Sequence, residues 1–205
     1  MVTRVIKSDD LSYAVEVIAA GGLVAVPTDT VYGLAVNALD AQAVAKVYEV
    51  KGRPAIKPLI LLVEDIGAAE ALCSHIPDAA RILAEAFWPG ALTLVLPCGD
   101  TVPKIVTAGG STLGVRSPNH GKTLELLRLT GVPLAAPSAN ISDMPSPKSA
   151  QEVLAYFDGL IECVIDGGVT DLGFESTIID LSSEPYKILR QGALPEEDIW
   201  RSLAK

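Results

Sequence analysis

The chain has 205 residues, a formal net charge of −9 and 49 % apolar residues, enough to bury a real core in a single domain spanning 1–205. The acidic balance argues against a large nonspecific grip on nucleic acid, which comes mainly from neutralised phosphates, and leaves room for a local basic pocket. The longest uncharged apolar run, VIAAGGLVAV, is about half the roughly twenty residues of a spanning helix. The start, MVTRVIKSDD, lacks the apolar stretch of a signal peptide. A cytoplasmic protein without a membrane segment is expected.

In chain order, Ser8 or Asp9 caps a helix whose apolar positions Leu11, Ala14, Val15, Ile18 and Ala19 recur at three and four and which ends at Gly21 and Gly22. LVAVP then reads as a buried strand closed by Pro27. The stretch PTDTVYGL follows, with two threonine hydroxyls, a carboxylate and a tyrosine where a plain turn needs far less. Asp40 caps a second helix, with Val44, Val47 and Tyr48 on one face, that stops near Gly52 and Pro54 and makes KGRPAIKP a loop.

PLILLV is the next strand, followed by helices near 65–73 and 77–87 and the strand ALTLVLP. A short strand at LGVRS, a helix near 119–130 and the strand PLAAP come next. A helix over about 147–157 precedes the strand IECVID, and STIIDL and YKILR read as a late strand pair. The tail from Pro195 is a short helix with proline at its first position. This alternation defines an α/β fold with a central mixed sheet.

Cys73, Cys98 and Cys163 are an odd number, far apart and never in a C-x-x-C pair, so neither a disulfide framework nor a zinc site is indicated. His75 and His120 have no carboxylate at metal-ligand spacing, and histidine-based catalysis is not expected. No metal ligand can be named.

Three strands end in polar, proline-marked loops: VPTDTVYGL, VRSPNH and APSANISDMPSP. In open α/β sheets the ligand crevice lies at such strand ends, so the three are candidates for one pocket. Lys51, Arg53 and Lys57 fall in or beside one loop, and Arg116 and Arg190 end strand-like runs. Fixed positive charge at strand ends suits a polyphosphate or carboxylate, and arginine adds two-point hydrogen bonding. Ser138 and Asn140 lie beside the small residues Ala135, Ala136 and Ala139, and Ser176 and Thr177 open another strand. The usual nucleotide signatures are missing. HGKT has the end of a P-loop, but Arg116 stands where that motif needs its first glycine. GGSTLG does not fit a nucleophile elbow.

Taken together, PTDTVYGL, KGRPAIKPLILLV, FWPGALTLVL, STLGVRSPNH, PLAAPSANIS, FESTIIDL and ILRQGA resemble the YrdC-type threonylcarbamoyl-AMP synthase family, in family order from about residue 10 to 195. The resemblance implies a twisted open mixed sheet flanked by helices, with a concave electropositive cavity. It implies a nucleotidyltransferase that joins L-threonine, bicarbonate and ATP, with Mg²⁺, into threonylcarbamoyl-AMP and pyrophosphate. A partner transferase complex then modifies tRNA next to the anticodon, with at most weak direct tRNA binding by this chain.

Carried over by position, threonine is held by Thr30, Arg116, Ala136 and Ser176, with Tyr32 shaping the wall and Asp29 free to orient a basic side chain. ATP is held by Lys51, Arg53, Lys57, Thr112, Ser138, Asn140, Ser146 and Arg190. Lys51 and Arg53 act electrostatically, without a covalent nucleophile. The chain looks like the short form of the family, without a C-terminal extension domain. It departs from the family pattern at Leu62, where many relatives carry histidine, and at Asp143, where glycine is common. Two other readings fit the same residues: a paralogue with carbamoyl-adenylate activity, and a nonenzymatic RNA-binding module.

Overall fold

The computed structural model describes residues 2–7 and 10–204. The strands are β1 (Arg4–Lys7), β2 (Val24–Val26), β3 (Gly33–Asn37), β4 (Ile60–Leu62), β5 (Leu92–Pro97), β6 (Thr112–Arg116), β7 (Leu134–Ala135), β8 (Cys163–Asp166), β9 (Thr177–Asp180) and β10 (Lys187–Arg190). They join in one sheet of order β1-β8-β2-β3-β7-β4-β6-β5-β9-β10. The sheet is mixed. β8 is parallel to both β1 and β2, β4 to β6, and β5 to β9, while β2–β3, β3–β7, β4–β7, β5–β6 and β9–β10 are antiparallel.

The helices are α1 (Ser12–Ala19), α2 (Ala41–Lys51), α3 (Ile66–Glu70), α4 (Asp78–Phe87), α5 (Gly121–Thr130), α6 (Ala150–Phe157) and α7 (Glu196–Leu203). Asp40 caps α2 by accepting from the N–H groups of Gln42 and Ala43, and Gly52 ends it in the left-handed conformation, as the sequence predicts. Ser149 caps α6 in the same way, through the N–H of Glu152. No described helix is long and apolar enough to cross a membrane.

Side chains alternate across the strands, and that alternation creates the site. Leu61, Leu92, Leu94, Leu96, Leu113, Val115 and Ile179 point into the main core with residues of α2, α4, α6 and α7. Ile60, Leu62, Thr93, Val95, Thr112, Gly114, Arg116 and Ile178 share the opposite face. On that side α1 and α5 form a second core over β2, β3, β7 and β8. They leave β4, β6, β5 and β9 uncovered, and the bare half-sheet becomes a cavity.

Two strands escape the sequence reading, β1 and β3. Ser8 and Asp9, read as a cap, lie outside the described residues; α1 begins at Ser12, whose N–H and hydroxyl donate to Asp10. Pro195 stands at the N-cap of α7 rather than in its first turn. β7 is only two residues long, because Pro133 and Pro137 flank it and bring no N–H to a ladder.

Candidate active site

The stretch PTDTVY is the loop of the β2–β3 hairpin, with Val26 opposite Gly33 at its base. Its hydrogen-bonding capacity is spent in two ways. Thr28 Oγ1 accepts from the N–H groups of Thr30 (3.1 Å) and Val31 (3.2 Å) and donates to the Val31 carbonyl (2.7 Å), a side chain replacing the backbone partners that the turn lacks. Asp29 and Thr30 then hold Arg116 from β6. Its Nη2 donates to Asp29 Oδ1, its Nη1 to Thr30 Oγ1 at 2.7 Å and its Nε to the Gly90 carbonyl at 2.8 Å.

Both charged side chains are 7 % exposed. Burial lowers the Arg116 pKa, and the Asp29 carboxylate opposes that shift. The backbone N–H of Asn119 also donates to Asp29, at 3.0 Å. A guanidinium carries five N–H donors, so three are engaged and two are left over. Tyr32 is fully buried; its hydroxyl donates to the Gly168 carbonyl (2.8 Å) and accepts from the N–H of Gly167 (3.1 Å), bracing the 167–168 turn.

A second cluster closes the cavity from β9 and β10. Arg190 Nε donates to the Ser176 carbonyl at 3.1 Å, its Nη2 to Ser176 Oγ at 3.2 Å, and its Nη1 to Glu175. Ser176 Oγ shares a 2.8 Å hydrogen bond with Thr93 Oγ1, and Ser146 donates to Glu175 at 3.0 Å. The chain returns close behind this segment at Gly192, where any Cβ would collide with the backbone of Glu175 and Ser176. Gly192 is there because nothing larger fits.

The third wall is the 53–58 loop with the 136–140 segment. Arg53 ties its own loop by donating to the carbonyls of Lys57 (3.2 Å) and Pro58 (2.9 Å). Lys51, in the last turn of α2, is 1 % exposed. Its Nζ donates to the carbonyls of Ser138 and Asn140 and reaches Asn140 Oδ1 at 3.4 Å. Burial pulls the Lys51 pKa down to about 7, helped by the nearby Arg53 charge and opposed by Glu175.

The cavity measures about 480 Å³, a usual size for a small-molecule site. Thr30, Arg53, Lys57, Thr112, Arg116, Ala136, Ser138, Ser176 and Arg190 all line it. Lys51, Asn140 and Ser146 stand one layer behind: Lys51 spends its donors on the 138–140 backbone, Asn140 Nδ2 donates to the carbonyls of Ile141 and Met144, and Ser146 holds Glu175. Leu62 lines the cavity at its border with the second core. Asp143 has φ of 66°, a backbone suited to glycine, and meets Lys57 at 3.2 Å on the exposed rim. The sequence reading did not single out Thr93 or Glu175, which also line the cavity.

Four cationic side chains and several hydroxyls face one carboxylate across a bare half-sheet. This is an α/β protein with a cleft lined by cationic and hydroxyl side chains. The Sua5/YciO/YrdC family model, described as "Telomere recombination", matches residues 16–192, and the chain belongs to that family.

Among its relatives, the threonylcarbamoyl-AMP synthase of Pyrococcus abyssi is 53 % identical over 182 residues, covering 89 % of this chain and 54 % of that protein. The Bacillus subtilis protein of the same name is 43 % identical over 201 residues, covering 97 % and 58 %. The structure of P. abyssi Sua5 complexed with L-threonine superposes with a TM-score of 0.96 at 48 % identity, over 98 % of this chain and 61 % of that one. This chain thus spans a little over half the length of these relatives. E. coli YciO, at 22 % identity and a TM-score of 0.83, shares the fold.

Proposed function

We propose that this protein is an L-threonylcarbamoyladenylate synthase, making threonylcarbamoyl-AMP and pyrophosphate from L-threonine, bicarbonate and ATP in the cytoplasm. The observation that carries the reading is Arg116, fixed at the cavity floor by Asp29, Thr30 and Gly90 with two N–H donors to spare. A planar, preoriented guanidinium pairs with an amino-acid carboxylate in two-point fashion. The names of the relatives support the reaction, and the threonine complex of P. abyssi Sua5 supports the substrate.

In this reading threonine lies between Thr30, Ala136 and Ser176 with its carboxylate on Arg116. The amine takes up bicarbonate with loss of water, or carbon dioxide with loss of a proton, to give N-carboxy-threonine. That carboxylate attacks the α-phosphorus of ATP, a new P–O bond forms, and the bond to pyrophosphate breaks. The chain supplies position and charge rather than a nucleophile. Arg53, Lys57 and Arg190 neutralise phosphate oxygens, with Thr112 and Ser138 as hydroxyl partners. Lys51, Asn140 and Ser146 act from behind, fixing the 138–140 turn and the Glu175 carboxylate.

No group of three or more His, Cys, Asp or Glu able to hold a metal occurs among the described residues, and Glu175 is the carboxylate lining the cavity. That donor set fits Mg²⁺ carried mainly by nucleotide phosphates and water, with Glu175 the side chain that would meet it. The ion, when bound, supplies further neutralisation of phosphate charge. A tRNA-modifying transferase consumes the product.

The test is pyrophosphate release by the purified chain from Mg²⁺-ATP, with threonine and bicarbonate omitted in turn and serine substituted for threonine. Release that needs both co-substrates and prefers threonine is expected. Release indifferent to threonine would overturn the reading.

A further inference from the structure

Cys73 and Cys98 are 25 residues apart in sequence, yet they face each other in an isolated antiparallel bridge. The flanking hydrogen bonds define its type. Ser74 N–H donates to the Pro97 carbonyl (3.1 Å) and Gly99 N–H to the Leu72 carbonyl (2.8 Å), so the two cysteines occupy the non-hydrogen-bonded site. At such a site the Cα atoms are about 4.5 Å apart and the side chains leave the same face of the ribbon. That separation lies inside the range of disulfide-linked residues, about 4.4–6.8 Å. Gly99 permits the close approach: a Cβ there would lie 2.9 Å from the Leu72 carbonyl oxygen.

We propose that Cys73 and Cys98 form a reversible disulfide that staples the α3–α4 connection to the end of β5. Both are free thiols, partly exposed, whereas Cys163 is fully buried and distant in the sheet. The oxidant is a small-molecule disulfide. Cys98 is the attacking sulfur because it is the less deeply buried of the two: burial raises both thiols, Cys73 to about 12, and at Cys98 the nearby Lys104 offsets part of that rise.

The Cys98 thiolate displaces one thiolate from the small disulfide and forms a mixed disulfide. Cys73, losing its proton to solvent, then attacks Cys98 Sγ and expels the second thiolate. Two protein thiols are oxidised by two electrons, and one small disulfide becomes two thiols. The bond would anchor the rim of the cavity, because Cys98 N–H donates to the Ser111 carbonyl and Pro97 pairs with Thr112.

The experiment treats the folded protein with oxidised glutathione, quenches with acid and maps tryptic peptides without reduction. The expected product joins fragments 52–81 and 82–104 with the loss of two hydrogens, and dithiothreitol reverses it. Closing this loop raises the melting temperature by about 5–10 °C over the reduced protein. Cys73→Ser should instead stop at one glutathione on Cys98, while Cys98→Ser stays unmodified. No link between the two fragments, a link that forms only in urea, or an oxidised protein that melts at or below the reduced one would overturn the proposal. None of these readouts depends on synthase activity.

Discussion

Replacing Asp29 by asparagine isolates the electrostatics of the cavity floor. The side chain keeps its shape and an acceptor for Asn119 N–H and Arg116, but the charge opposite a guanidinium that is 7 % exposed disappears. Stranding one partner of a buried pair costs about 3–5 kcal/mol. Because asparagine retains both hydrogen bonds, the lower end applies, about 3 kcal/mol. For a chain of this size that is a fall of roughly 6–12 °C in melting temperature.

Urea unfolding should show the midpoint falling with an unchanged slope, the sign of lost stability rather than altered compactness. Combining Asp29→Asn with Arg116→Met removes the stranded charge as well, and the double variant should be more stable than the sum of the two single losses predicts. A single variant within about 1 kcal/mol of wild type, or strictly additive losses in the double, would refute the argument that Asp29 exists to hold Arg116.

Three further outcomes are expected. The folded-state pKa of Lys51 lies near 7, below the ordinary lysine value of 10.5, so between those values the unfolded chain binds the extra proton and stability rises with pH; the stability difference between wild type and Lys51→Met should grow in favour of wild type from pH 7 to 9, and a flat difference by urea titration would contradict the lowered pKa. Arg53→Ala should lower pyrophosphate release about a hundredfold, as loss of one oxyanion-type donor does, with circular dichroism unchanged; near-normal release by a folded variant would remove Arg53 from the phosphate contacts. Gly192→Ala should destabilise by about 1–3 kcal/mol, as overpacking does, and lower turnover by displacing Ser176; a thermal melt matching wild type would show that the backbone crossing there is not tight.

The fold class was legible because amphipathic helices and buried strands alternate, and because caps such as Asp40 and Gly52 carry their own chemistry. β1 and β3 were not, for different reasons. β1 buries Ile6 and exposes its other three residues, so its strand identity comes from pairing with β8, about 160 positions away in sequence. β3 begins at a glycine directly after a polar loop, and nothing local marks where that loop stops.

The cations and the three polar loops were legible because positive charge stands out in an acidic chain. Depth was not. That Lys51 lies behind the wall while Arg53 faces the cavity follows from which way the last turn of α2 points. Thr93 joins the site through sheet parity with Ser176, 83 residues later. Asp143 shows the converse: its position suits glycine by resemblance, and its φ of 66° gives the backbone reason.

The order of the strands also fixes when the site can exist during synthesis. β8 bridges β1 and β2, so a nascent chain cannot assemble that side of the sheet until residue 166 has left the ribosome. The hydroxyl of Ser176 and the guanidinium of Arg190 come later still, held by the crossing at Gly192. Nearly the whole chain must therefore emerge before any ligand can find its pocket. Until then β5 keeps one edge open for β9, which makes folding dependent on long-range pairing and exposes intermediates to aggregation.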